Sequence, residues 1–185
     1  MRKRLRGGAL AGIFTLGAGL LLAPAAVADT QSSQGCPAEQ WYEVTEVGGP
    51  RYESIGSPAG KRNASSTSAT LRYDMTTTTA RASSWHGSGG LSFDWGIVKI
   101  EGETGHDVTK TTSTGKTVSN TLNVPGHYYG YTTPKVERRH FDIDKYEETP
   151  ACKPRHLAKS GWSDAITAYP FFSECVGTSA CTPKP

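Results

Sequence analysis

Residues 41–47 (Trp41-Tyr42-Glu43-Val44-Thr45-Glu46-Val47) alternate between apolar or aromatic and polar positions, which predicts a strand that Gly48-Gly49-Pro50 ends. A short second piece is predicted over 52–55, and 56–63, with Pro58 and Gly60, reads as loop. From Ser65 the character changes: eleven of the twenty residues 65–84 are Ser or Thr. Leu71, Tyr73 and Met75 nevertheless share one parity, with Arg72 and Asp74 on the other, and the β-branched run Thr76-Thr77-Thr78-Thr79 suits a long strand over 71–84. Gly87-Ser88-Gly89-Gly90 interrupts it. Leu91, Phe93, Trp95 and Ile97 then alternate with polar or small residues, and the parity inverts past Gly96, where Val98 and Ile100 are apolar. A buried strand with a β-bulge at Gly96 is the expectation.

A turn at 102–105 leads into a second Ser/Thr-rich run, 109–121, after which Val118, Leu122 and Val124 share a parity up to Pro125-Gly126. The next strand carries Tyr129 and Tyr131 on one side. Residues 135–146 place Val136, Phe141, Ile143 and Tyr146 among many charges, the pattern of a solvent-facing strand at a sheet edge. The whole predicts an all-β domain over 41–152, an elongated antiparallel sheet or sandwich of about six to eight strands. Residues 153–185 are expected to form a short disulfide-stapled C-terminal appendix, with at most one short helix on the spacing of Leu157, Trp162 and Ile166.

The amino terminus changes the charge picture. Arg2, Lys3, Arg4 and Arg6 precede an apolar run over 9–22 and the small-x-small site Ala26-Val27-Ala28, so 1–28 read as an export signal. The mature chain is then expected to start at Asp29, with 29–40 flexible. The 20 Lys+Arg against 17 Asp+Glu give a net +3, but without those four basic residues 16 face 17, a net of −1. A near-neutral mature chain lacks the basic footprint that nucleic acid requires.

All four cysteines, Cys36, Cys152, Cys175 and Cys181, lie in the exported part and read as two disulfides of a secreted, extracellular protein. Of three possible pairings, Cys36 with Cys152 and Cys175 with Cys181 is expected: one ties the start of the domain to its end, the other staples a turn. No C-x-x-C pair points to zinc.

Candidate chemistry is sparse. The histidines (His86, His106, His127, His140, His156) have no ligand spacing and read as exposed polar residues. Asp142-x-Asp144-x-x-Glu147 lacks the mid-loop glycine of a calcium loop and reads as solvated strand charges. Gly87-Ser88-Gly89 is too short for a nucleophile elbow. A non-enzymatic protein without cofactor or metal is expected. Tyr128, Tyr129 and Tyr131 read either as strand packing or as a contact surface. With Phe93 and Trp95 they form the candidate interaction surface.

The order of these features over 65–148 resembles secreted bacterial β proteins of the aerolysin and epsilon-toxin/mosquitocidal-toxin type. A Thr/Ser-rich strand (71–84), an alternating middle segment (90–105), a second Thr/Ser-rich strand (108–123) and a Val-Pro-Gly corner into an aromatic strand (124–131) carry the likeness. It implies an elongated β-sheet module that oligomerises on a membrane and refolds a hairpin into a barrel. Such a hairpin needs two alternating strands of ~9–11 residues. With its turn at 102–105, Leu91, Phe93, Trp95 and Ile97 supply one lipid face, while the return strand offers Val108 and then Thr, Lys and Ser. The expectation is therefore a secreted protein acting by protein binding and assembly, as a subunit or adaptor of a toxin-like complex or by self-association. A small pore-forming toxin and a disulfide-stapled protease inhibitor are the alternatives.

Overall fold

The computed structural model describes residues 35–182 and 184–185. The expected signal, the mature start at Asp29 and the first half of the flexible segment 29–40 lie outside the described residues. Gly35–Pro185 form one compact unit, built mostly of antiparallel β structure with a single short helix. In chain order the elements are β1 (Gln40–Ser54), β2 (Ala59–Arg62), β3 (Ala69–Thr76), β4 (Ser84–Gly87), α1 (Phe93–Thr104), β5 (Thr117–Val124), β6 (Tyr129–Glu148) and β7 (Pro154–Gly177).

Five strands make one sheet in the order β1-β6-β7-β4, with β2 added to β6; β3 and β5 pair as a separate two-stranded sheet. The spine is the β6–β7 hairpin, which runs from Glu148↔Pro154 to Tyr129↔Gly177. A twenty-residue strand such as β6 reaches roughly 65 Å at 3.3 Å per residue.

Several expectations change here. Gly48-Gly49-Pro50 does not end the first strand: the β1–β6 register shifts between Val47 and Arg51 and the ladder then continues to Ser54. The predicted loop 56–63 contains β2. The expected long strand 71–84 is only Ala69–Thr76; the chain then leaves, and Ser84–Gly87 joins the other sheet. β6 is interior rather than an edge, because its charges find partners within the fold: Arg139 meets Glu46 at 2.6 Å and Glu137 at 2.7 Å, and Arg138 Nη2 donates to the Ala82 carbonyl at 2.8 Å.

Residues 154–177, expected as an irregular or helical piece, are β7, hydrogen-bonded to both β6 and β4. Small residues make this possible. Ser163 is fully buried, and a Cβ on Gly161 would stand 2.6 Å from the His86 carbonyl oxygen. The stapled C-terminal piece is the Cys175–Cys181 turn at the end of β7.

The core has three parts. Ile55, Val136 and Ile166 fill the middle, with Tyr169 packed against them. The β3–β5 hairpin covers one end through Tyr73, Met75 and Val118, against Ala59 and Phe172. There the Tyr73 hydroxyl donates to the Gly130 carbonyl at 2.7 Å, and burial pushes its pKa up. At the other end α1 lays Ile100 on Phe141 and Ala165. Both expected disulfides are present, Cys36–Cys152 and Cys175–Cys181. Asn63, which opens the glycosylation tripeptide Asn63-Ala64-Ser65, is buried, its amide within 3.1 Å of the Thr67, Val124 and Pro125 carbonyls, so the folded chain offers no free amide for glycosylation.

Candidate functional site

The two Ser/Thr-rich strands β3 and β5 pair in one unbroken register from Ala69↔Val124 to Thr76↔Thr117. Between them residues 77–116 leave the hairpin as a strap, cross to the large sheet and return. The strap is fastened at its base, where Thr77 Oγ1 donates to the Ser113 carbonyl at 2.9 Å. Further along, Arg81 meets Glu53 at 2.9 Å, and β4 pairs with β7 from Ser84↔Asp164 to Gly87↔Gly161.

The strap's middle is α1, where a bulged strand was expected. Ser92 caps its start, accepting from the Trp95 N–H at 3.2 Å, and Gly105 at φ 75° closes its end. Tertiary contacts hold it: Trp95 meets Tyr42 edge-on at 5.1 Å, and Glu103 accepts from the Val44 N–H of β1 at 2.7 Å. Gly96 lies so close to Trp85 that a Cβ there would stand 2.3 Å from the ring. Intrinsic propensity argues against the helix. Gly96 and Gly102 each cost about 1 kcal/mol relative to Ala, Ile97, Val98 and Ile100 are β-branched, the last turn carries no basic residue, and Val98 is 71% exposed. A strand-patterned segment is held here as a helix by what it packs against.

The expected interaction surface divides into two clusters. Tyr129 and Tyr131 stack at 6.3 Å, with Arg62 over the Tyr129 ring at 5.7 Å and Tyr131 covering Gly60; the neighbouring Tyr128 is half-buried. Phe93 and Trp95 instead sit on α1 against Trp85. Trp85 pairs with Ser163, which pairs with Phe141, some ten residues and about 33 Å along β6 from Tyr131.

A second constellation was missed from sequence. His140 and Asp142 alternate with buried Phe141 and Ile143, so they occupy the sheet face opposite α1. Trp162 and Asp164 of β7 are their register partners, and His86 of β4 faces Trp162. Trp162 stands between two imidazoles, 5.8 Å from His86 and 5.7 Å from His140. His140 reaches Asp164 through Nδ1 at 2.8 Å and Asp142 through Nε2 at 3.1 Å. Arg51 meets Asp164 at 2.6 Å and Lys159 meets Asp142 at 2.5 Å. Arg51, His140, Lys159, Trp162 and Asp164 line an open groove of about 760 Å³, rimmed by Val47, Gly48 and Gly49, and His86 lines a smaller one of about 210 Å³ that shares Lys159 and Trp162. The available signal was the i, i+2 spacing of His140, Asp142 and Asp144, which marks one strand face. Asp144 and Glu147, only 24% and 18% exposed, pair with His156 and Arg155.

No protein-family model matches the chain, and no curated protein sequence matches it.

Proposed function

We propose that this is a secreted, membrane-acting β protein whose strap refolds into a membrane-spanning hairpin, several copies closing a pore. The observation that carries the reading is the β3–β5 register. The ladder holds Leu71↔Leu122 and Met75↔Val118 and ends at Thr76↔Thr117; extended by count in the refolded hairpin, the same register would set Trp95 opposite Val98 and leave Gly96-Ile97 as a two-residue turn. Glycine first is what a type II′ hairpin turn requires. The arms 85–95 and 98–108 have the ~9–11 residues of a spanning strand.

Their faces sort by charge. Trp85, Gly87, Gly89, Leu91, Phe93 and Trp95 fall together with Val98, Ile100, Gly102, Thr104, His106 and Val108, and none of these is Asp, Glu, Lys or Arg. Every acidic residue of the two arms, Asp94, Glu101, Glu103 and Asp107, falls on the opposite face with Lys99. Arg81 and Lys110 continue the uncharged face just beyond the arms, at headgroup depth. A lipid face next to a wet, charged lumen is the arrangement a barrel strand needs. The parity inversion past Gly96, assigned above to a bulge, marks the hairpin tip in this reading, and the return strand that looked too polar was counted from a turn placed too late.

The export-signal pattern and the two disulfides support an extracellular site of action. The test is dye release from phosphatidylcholine vesicles by the mature chain. Release with assembly into sodium-dodecyl-sulfate-resistant oligomers supports the reading; a monomer inert to vesicles at micromolar concentration overturns it. The stacked Tyr129–Tyr131 ladder favours the second reading, a secreted binding subunit. That reading predicts co-purification of a larger secreted partner from native culture supernatant without vesicle leakage.

A further inference from the structure

We propose that the open groove around His140 and Trp162 is a binding site for a neutral carbohydrate, separate from the refolding strap's own chemistry. Charge is the first argument. Arg51 faces Asp164 at 2.6 Å and Lys159 faces Asp142 at 2.5 Å, while His140 bridges the two carboxylates. An anion entering the groove finds no unmatched permanent cation, and a cation finds no unmatched carboxylate. A net-neutral ligand rich in both donors and acceptors is the chemistry left.

Unused hydrogen-bonding capacity is the second argument. In each of the four pairs the contact to the carboxylate is made at Oδ1, which leaves Oδ2 the less engaged oxygen. Arg51 and Lys159 are 58% and 49% exposed and retain N–H groups directed to solvent. These groups are nevertheless fixed, because each also holds a neighbour. A planar guanidinium and carboxylates oriented by their mutual contacts are what hydroxyl pairs on a sugar ring recognise, at reduced ordering cost.

Shape is the third. The site is an open groove of about 760 Å³, not an enclosed cavity, and the stacked Trp162–His140 pair gives it an aromatic floor. Its rim at Gly48 and Gly49 carries no side chains, and a Cβ added at either would meet nothing within 4 Å. A bulky, extended ligand can lie along the face, with Val47, 46% exposed, as an apolar contact.

The experiment titrates the lipid-free mature chain with neutral hexasaccharides of glucose, N-acetylglucosamine, galactose and mannose, following tryptophan emission and calorimetric heat. Inorganic phosphate and choline serve as charged comparators. The expected result is saturable binding of at least one neutral sugar, weakened about tenfold or more by Arg51→Ala, with the emission change lost in Trp162→Phe. Circular dichroism on each variant separates lost binding from lost fold. Absence of neutral-sugar binding at ~10 mM, binding indifferent to Arg51→Ala and Lys159→Ala, or preference for phosphate or choline overturns the proposal. No membrane is present in this titration, so its failure leaves vesicle leakage untouched, and leakage failure leaves it untouched.

Discussion

Gly102→Lys separates the folded chain from the inserted hairpin more sharply than any other single change. In the folded protein Gly102 is an exposed helical position where a Cβ would meet nothing within 4 Å. Replacing glycine there removes a helix-propensity penalty and stabilises α1 by roughly 0.5–1 kcal/mol. In the proposed hairpin the same position is opposite Leu91 on the uncharged face, where a lysine near the bilayer midplane costs about 2–4 kcal/mol. Both effects oppose insertion, so the balance shifts by about 2.5–5 kcal/mol per copy, a factor of roughly sixty or more. The assay is the initial rate of dye release from vesicles, with thermal unfolding of the free protein alongside. The expected outcome is an unchanged or higher melting temperature with leakage reduced roughly sixtyfold or more. Asp107→Lys, exposed in the fold and on the lumen face of the hairpin, should keep activity and shift the ion selectivity of the conductance. Equal leakage from Gly102→Lys and wild type, or equal loss in Asp107→Lys, refutes the face assignment.

Four further outcomes follow from the geometry. Gly102→Ala, which adds about 1 kcal/mol to the helix without charge, should slow leakage about fivefold while raising the melting temperature. Gly96→Ala drives a methyl to 2.3 Å from the Trp85 ring and should destabilise the fold by about 1–3 kcal/mol, read by urea denaturation. Replacing Cys36 and Cys152 together by serine opens a loop of sequence separation 116 and should cost about 4–5 kcal/mol in the chain-entropy treatment, measured the same way. Burial acts to raise the Glu137 pKa, but hydrogen bonds from Arg139, Thr167 and Tyr52 outweigh it and hold the carboxyl below its usual 4.5. Its contribution to stability is therefore complete above pH 4.5 and lost as pH falls through the depressed value. Glu137→Gln should flatten that part of the acid-unfolding curve.

Much of the frame was legible where one local pattern had one physical meaning. Leu71, Tyr73 and Met75 do turn inward and Arg72 and Asp74 outward, because a half-buried strand leaves a period of two. Both cysteine pairings were readable from end-to-end closure. Residues 91–100 were not, because they satisfy the period of two and also place Phe93, Gly96, Ile97 and Ile100 at helical spacing; tertiary contacts with Tyr42, Trp85 and Phe141 decide the state adopted in the fold. β7 escaped because its interior positions are Gly161, Ser163 and Ala165, small where β4 and α1 press close. The groove escaped because its residues belong to three strands, and only the register brings Arg51, His140, Trp162 and Asp164 together.

The refolding itself is tested most directly by labelling single cysteines, one at a time from 98 to 108, with an environment-sensitive fluorophore. All four native cysteines are in disulfides, so each label is specific. On addition of vesicles the inserted hairpin gives a period of two: blue-shifted emission at 98, 100, 102, 104, 106 and 108, and water-like emission at 99, 101, 103, 105 and 107. A period near 3.6, as from a helix lying on the bilayer, or no change at any position would contradict it.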